Sequence, residues 1–516
     1  MTPPDRFPKP QDGYKRAREI PMRRFLNKLF RDFRTTSTPR GGRRAPLRAA
    51  LQVEGLEDRL VMSGTSVQQI GKTLFLDAAP GGPGSQYTIR QITLESNGAG
   101  QMQVLDNGNL VNKNQPINIG SINAVNITVA GLDEVNINDS NGMPFATGTT
   151  VTLLGSGAGN SMALFGSQAV SGSETYVAGG ASFTPGMVWL DGLTFQLSNA
   201  IASVNDEIAI TGTLDVQTSG TNVVLAGSNG FAQTLSGMGF GGGDTLTYAN
   251  KFDVKLDEYA ASANILLNAT APAALEGFFT VQLHSAGDTT TIAATPSSVF
   301  TRVRADIAPV ANQATVKLQA NAGGVAINGT SSTQVNVGQP QGNGLSSTKG
   351  IQSNVLVLGA GSLFLSDSGN VSTTENVTVT ESSISGTGLF GNNGVTLVYG
   401  NVGTLDLVTG QDGANYTVKG SHPGAQFTSK INITFFSTLL SNVPIRADVY
   451  VDSGSRLNLQ LYNQTKQQGT LLDIHTAGNA SLPGTPSGTV DVSFPGVPNS
   501  LSQIGYHNFS LVFAQA

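Results

Sequence analysis

The chain has 516 residues, of which 39% are hydrophobic and 12% charged, with 63 Gly and no Cys. That apolar content supports a core and argues against wholesale disorder, and the lack of thiols excludes disulfides, thiolate metal sites and cysteine nucleophiles. Charge is unevenly divided: residues 1–60 hold 15 Lys+Arg against 7 Asp+Glu, the remainder 14 against 27, and an acidic body without clustered cations argues against nucleic acid as its partner.

In chain order, residues 1–64 read as a basic leader, mostly disordered and containing short helices. Within it, Met22, Phe25, Leu26, Leu29, Phe30 and Phe33 of "PMRRFLNKLFRDFR" share one helical face, and Arg23, Arg24, Lys28, Arg31 and Arg34 fill the other. Such a helix suits an anionic membrane surface or an export-receptor groove; the alternative is a solvated helix packed on the body. No apolar run reaches 18 residues, so no transmembrane helix is expected, and no 7–15-residue apolar core of an ordinary signal peptide follows the basic start. "TTSTPRGGRRAP" (35–46) reads as a linker. In "LQVEGLEDRLVMSG" (51–64), Leu51, Val53, Leu56, Leu60 and Val61 are placed to line a helical face, and after Gly64 the composition turns to Gly, Ser, Thr, Asn and Val.

The stretch "RRAPLRAALQVEGLEDRLVMSG" resembles the N-terminal segment that recurs on extracellular proteins of planctomycete bacteria. Leu56, Glu57, Asp58, Arg59 and Leu60 match its core and Ser63 its small residue. The resemblance covers about 20 residues. It implies an exported, surface-associated protein and implies nothing about catalysis.

The body divides by composition into a β-repeat module at 65–170, a central β-rich region at 171–350, and a second module with C-terminal strands at 351–516. Strand-like runs alternate with Gly/Asn/Asp/Ser turns: "KTLFLDA" (72–78), "QYTIRQITLE" (86–95), "AVNITVAGLDEVNIN" (124–138), "TGTTVTLLGSG" (147–157), "GTLDVQTSGTNVVLAGS" (212–228), "NVLVLGAGSLFLSDSG" (354–369) and "GVTLVYGNVGTLDLVTG" (394–410). The best helical candidate is 255–278, interrupted by Pro272. An internal repeat aligns Val125 with Val395, Ile127 with Leu397, Val129 with Tyr399, Leu132 with Val402, Val135 with Leu405 and Ile137 with Leu407; upstream, "TLFLD" at 73 answers "SLFLS" at 362. Residues 363–421 also resemble a Gly/Asp-rich strand repeat of large planctomycete surface proteins.

Short strands between turns bury their apolar faces by stacking coil on coil. The expected fold is therefore all-β, a right-handed parallel β-helix or similar solenoid with roughly 20–25 residues per coil. Tandem antiparallel β-sandwiches are the alternative. Runs apolar on both faces, such as "NVLVLGAG", suggest strands covered on both sides.

Chemistry-bearing patterns are sparse. "GFGGGDTLT" (239–247) comes close to a calcium-binding nonapeptide, but a lone copy reads as a turn, and calcium enters only as an alternative stabiliser. Asp139, Asp367 and Asp412 read as solvated turn residues without the spacing of a calcium loop. His284, His422, His475 and His507 form no ligand pattern. "TRVRAD" (301–306) is the tight Arg pair near an acid, with Arg302 and Arg304 on one strand face. Trp189 with Phe195 reads as a sugar-stacking platform or as core. No catalytic residue, cofactor or metal ligand is assigned. The expectation is a secreted or cell-surface structural and adhesive repeat protein, not an enzyme, meeting envelope polysaccharide or other surface proteins. The alternatives are a carbohydrate-active β-helix, of polysaccharide-binding, lyase or hydrolase type, and a calcium-stabilised binding module.

Overall fold

The computed structural model describes residues 65–493, except 79–89, 131, 157–159, 167–172, 178–185, 191–192, 198–200, 228–229, 239–244, 275, 307–312, 343, 372, 381, 411–413, 420–429, 438–444, 451–455, 464–471 and 478–488. The leader, its amphipathic helix and the segment Leu56, Glu57, Asp58, Arg59, Leu60 and Ser63 lie outside the described residues.

The body is all-β and solenoid-like. The chain alternates between two long, mainly parallel ladders. In the first, Thr73–Ala78, Ala124–Ala130, Thr150–Ser156 and Leu193–Leu197 pair in succession. Further along, Thr213–Thr218, Asp253–Glu258, Phe278–Leu283, Phe300–Arg304, Val325–Asn328, Val355–Leu358 and Thr396–Gly400 do the same. In the second, Arg90–Ser96, Asp133–Asn138, Asn160–Phe165, Ile201–Asp206 and Thr245–Tyr248 form one parallel run. Asn222–Gly227 begins another, through Asn264–Ala269 and Thr289–Ala294 to Thr489–Ser493.

Alternation decides what goes inside. Ile92, Val135, Met162, Val204 and Leu246 stand in register on five neighbouring strands, and all are buried. The inward residues of both ladders join one continuous core. Each fully buried Val, Leu or Ile adds roughly 1.5–3 kcal/mol. The same logic overturns the helical expectation for 255–278. Val254 and Leu256 enter the core from Asp253–Glu258, and Ile265 and Leu267 from Asn264–Ala269. Burial at period two fits a ladder and overrides the weak helical pattern.

The coil length varies for a definable reason. Asp253 pairs with Phe278 and Phe278 with Phe300, spacings of 25 and 22 residues, as expected. Asn222, however, pairs with Asn264, 42 residues on. Here Asn222–Gly227, Gln233–Ser236 and Thr245–Tyr248 form an antiparallel meander. The chain overshoots along the axis, doubles back to pair with the strand already laid down, and a later coil fills in beside the first meander strand. The first ladder contains two such meanders, Glu174–Val177 with Gly186–Leu190 and Leu193–Leu197, and Glu375–Thr380 with Ser383–Thr387 and Thr396–Gly400.

Val125, Ile127, Val129, Val135 and Ile137 and their aligned partners are buried in both copies of the internal repeat; Leu132 is exposed where Val402 is buried. The upstream match does not extend the equivalence. Thr73–Ala78 lies in the first ladder and Ser362–Ser366 in the second, because similar apolar alternation serves either sheet. In "NVLVLGAG", Val355 and Val357 point inward but Leu358 is exposed, so this strand is covered on one face only.

Candidate functional site

Two arrangements concentrate side-chain chemistry. The first lies on the outward face of the first ladder, where Asp253–Glu258, Phe278–Leu283 and Phe300–Arg304 run parallel in register. Phe252 meets Phe278 edge-on at 5.4 Å between ring centroids, and Phe278 meets Phe300 at 6.4 Å. Phe252 and Phe300 are exposed. Glycine lets these rings lie against the neighbouring coil: a Cβ on Gly277 would stand 2.6 Å from the Phe252 ring, and one on Gly324 2.8 Å from that of Phe300. Arg302 spans the row, its Cζ 4.5 Å from the Phe278 centroid and 5.6 Å from that of Phe300. Such stacking contributes about 0.5–1 kcal/mol per contact at exposed sites. As expected from alternation, Arg304 shares this face; it pairs with exposed Asp306 at 3.2 Å.

Beside this row, Lys255 Nζ lies 2.9 Å from Asp257 Oδ2 and 3.2 Å from Asp215 Oδ1. His284 Nε2 is 3.4 Å from Asp257 Oδ1, and its ring stacks on Tyr259 at 4.4 Å. Partial burial opposes the Lys255 charge, but the hydrogen bond to Asp257 and the charges of both carboxylates outweigh it and raise its pKa. Burial, then the neighbouring Asp257, raises that of Asp215. A lysine held charged between carboxylates is a hydrogen-bond anchor rather than a base.

The second arrangement is inside. Lys251, Glu174 and Asp206 are wholly buried. Glu174 opens the strand Glu174–Val177, Asp206 ends Ile201–Asp206, and Lys251 follows Thr245–Tyr248. Asn250, at φ 58°, turns the chain at that corner, and its side chain donates to Glu207 O at 2.7 Å. Left-handed backbone of this kind is tolerated by Asn. Lys251 Nζ stands 2.6 Å from Glu174 Oε2 and 2.8 Å from Asp206 Oδ1, and donates to Ile208 O at 2.5 Å. Tyr176 donates to Asp206 Oδ2 at 3.0 Å and the Ile208 amide to Oδ1 at 3.2 Å. The close Glu174 contact is an ion pair in distance but is not aligned as a hydrogen bond. Burial first, then Asp206, pushes the Glu174 pKa well up.

Buried Tyr–carboxylate pairs recur. Tyr248 donates to Glu276 Oε1 at 3.1 Å, while Gln233 and the Ala273 amide donate to Oε2 at 2.6 and 2.9 Å. Burial lifts Glu276 to about 7 despite these bonds. Tyr416 donates to Glu375, whose other oxygen accepts from Gly410 N at 2.7 Å. Burial, then Asp367, raises the Glu375 pKa. Glu258 is inward-facing and lifted by burial to about 8.

Several sequence expectations change here. Asp139 and Asp367 are buried, not solvated. The Asp367 carboxylate turns inward to accept the Thr348 amide at 2.8 Å and the Ser347 hydroxyl at 3.2 Å, satisfying donors at a coil corner. In strand register Trp189 stands opposite Thr194 and Phe195 opposite Val188; their side chains lie outside what the structure describes. Gly239, Gly242 and Asp244 of the glycine turn, Asp412, His422 and His507 lie outside the described residues. His475 stands opposite Asp448 in register. Among the described residues, no three His, Asp or Glu side chains gather as a metal site, and no helix is long and apolar enough to cross a membrane. Sequence reading missed Lys251, Glu174, Asp206, Glu258 and Glu276. The available signal was an acid at an inward position, as in Val254, Leu256, Glu258.

No protein-family model, curated protein or solved structure matches the chain.

Proposed function

We propose that the chain is a secreted or cell-surface structural and adhesive repeat protein without catalytic activity of its own. The observation that carries this reading is the outward row of Phe252, Phe278 and Phe300 with Arg302, displayed on successive coils. A ladder repeats its outward positions about every 4.8 Å, which suits an extended partner such as envelope polysaccharide or another surface protein. Exposed aromatics in a group mark interaction surfaces more than isolated ones do. The resemblance of residues 43–64 to planctomycete export segments supports the surface location. A tagged full-length chain is expected in the surface or secreted fraction. Recovery wholly in the cytosol with its N-terminus intact would sink the reading.

A polysaccharide-active protein is the second reading, favoured by Lys255, Asp215, Asp257, His284 and Tyr259 beside the aromatic row. On this reading, Phe278→Ala and Arg302→Ala each weaken retention on an acidic-polysaccharide affinity gel by about 5–30-fold, the equivalent of roughly 1–2 kcal/mol. Unaltered retention excludes this face. In a turnover screen, unchanged rates after Arg302→Ala and Arg304→Ala count against a catalytic role for the pair.

A further inference from the structure

We propose that Lys251 and Asp206 become joined by an intramolecular isopeptide bond, with Glu174 as the proton shuttle. Three groups from separate coils meet in a site fully closed to solvent, with Nζ 2.8 Å from Asp206 Oδ1 and 2.6 Å from Glu174 Oε2. The inference is independent of the surface-adhesion reading, because it concerns a bond within the chain.

Amide formation from an ammonium and a carboxylate is unfavourable in water, where both charges are solvated and water is in excess. The buried site changes both conditions. Without bulk solvent the ion pair loses the hydration that opposes condensation, and transient passage of a proton from Nζ to Glu174 Oε2, 2.6 Å away, frees the nitrogen lone pair. The fold holds the reacting groups together permanently, and positioning of this kind is equivalent to effective concentrations of about 10⁵ M or more.

Asp206 rather than Glu174 is the acyl partner. Its two oxygens accept from Tyr176 Oη and Ile208 N, so donors already surround the carboxyl group on which negative charge develops during attack. Glu174 has no aligned donor on either oxygen and its burial favours the protonated form, which suits it to pass protons. The Nζ lone pair attacks Asp206 Cγ and forms the C–N bond. Glu174 takes a proton from Nζ and delivers one to the departing Asp206 oxygen. The C–O bond breaks, one water leaves, and a neutral secondary amide remains. The ammonium and carboxylate reactants together equal the amide plus water, with no oxidant, reductant or external acyl donor. The bond would close a ring between residues 206 and 251, stapling the corner after Ile201–Asp206 to that after Thr245–Tyr248.

The test is peptide mapping by mass spectrometry on the full-length purified protein after denaturation. The expected result is a branched peptide joining the Lys251 and Asp206 segments, lighter than their sum by one water and uncut by trypsin at Lys251. Glu174→Gln, checked for native circular dichroism, is expected to return both peptides linear. Linear peptides from the wild-type protein after prolonged incubation overturn the proposal. So does water loss mapped to Asp206 alone or to Glu174, or an unchanged branched yield in folded Glu174→Gln protein.

Discussion

Lys251→Met is expected to cost about 3–5 kcal/mol of stability relative to the unlinked wild-type chain, the usual range for removing one partner of a buried ion pair, and more relative to a chain carrying the Lys251–Asp206 amide. The lost cation leaves Glu174 and Asp206 facing one another without solvent. One must then bind a proton or the coil corner must open. Lys251 also donates to Ile208 O, so a buried carbonyl loses its partner as well. The urea midpoint should fall clearly, with the local corner becoming protease-sensitive. Combining Lys251→Met with Glu174→Gln and Asp206→Asn removes the uncompensated acids and is expected to restore most of the loss. A single substitution within 1 kcal/mol of wild type would show that the triad is not a stabilising unit.

Melting temperature is expected to fall between pH 5 and pH 8.5, because the interior holds carboxyl groups that prefer the protonated form. Glu258 titrates at about 8 and Glu276 at about 7, against 4.5 for an unhindered glutamate. The unfolded chain releases these protons once pH passes about 4.5, while the folded chain retains them up to 7 or 8. Their stabilising contribution is therefore complete below the unfolded pKa and is lost as pH rises through the folded value. For Glu276 this amounts to a change on the order of 3 kcal/mol. Burial raises Glu174, Glu375, Asp288 and Asp367 in the same direction. The Lys251 pKa is raised above 10.5, so its own loss of charge falls outside this window. Glu258→Gln and Glu276→Gln together should flatten the profile. A melting temperature that rises or stays level from pH 5 to 8.5 would contradict the buried-acid interior.

Much of the architecture is legible residue by residue. The alternation in "TLFLDA" and in "TLDVQT" predicts strands with one buried face, and Leu74, Leu76, Leu214 and Val216 are buried accordingly. The same alternation puts Arg302 and Arg304 on one outward face, as the strand shows. The repeat near Val125 and Val395 reflects equivalent strand-to-strand corners. By contrast, the helical reading of 255–278 failed because a few apolar coincidences at helical spacing compete with period-two burial that only neighbouring coils supply.

The triad was not legible because its members are separated by 32 and 45 residues, and nothing near any one of them specifies the others. Alternation tells which side chains turn inward but not which strand lies alongside. That choice is made by the meanders: Glu174–Val177 is laid down early and paired later by Thr213–Thr218, while Ile201–Asp206 is joined by Thr245–Tyr248. By itself, the sequence determined an all-β chain with inward apolar columns, since side-chain period and turn residues act locally. The tertiary structure alone decided which coils became neighbours, because backbone ladders pair equally well in many orders and only packing of the whole core selects one. That selection brings Lys251 against Asp206 and Glu174, and sets Phe252, Phe278, Phe300 and Arg302 in one outward row.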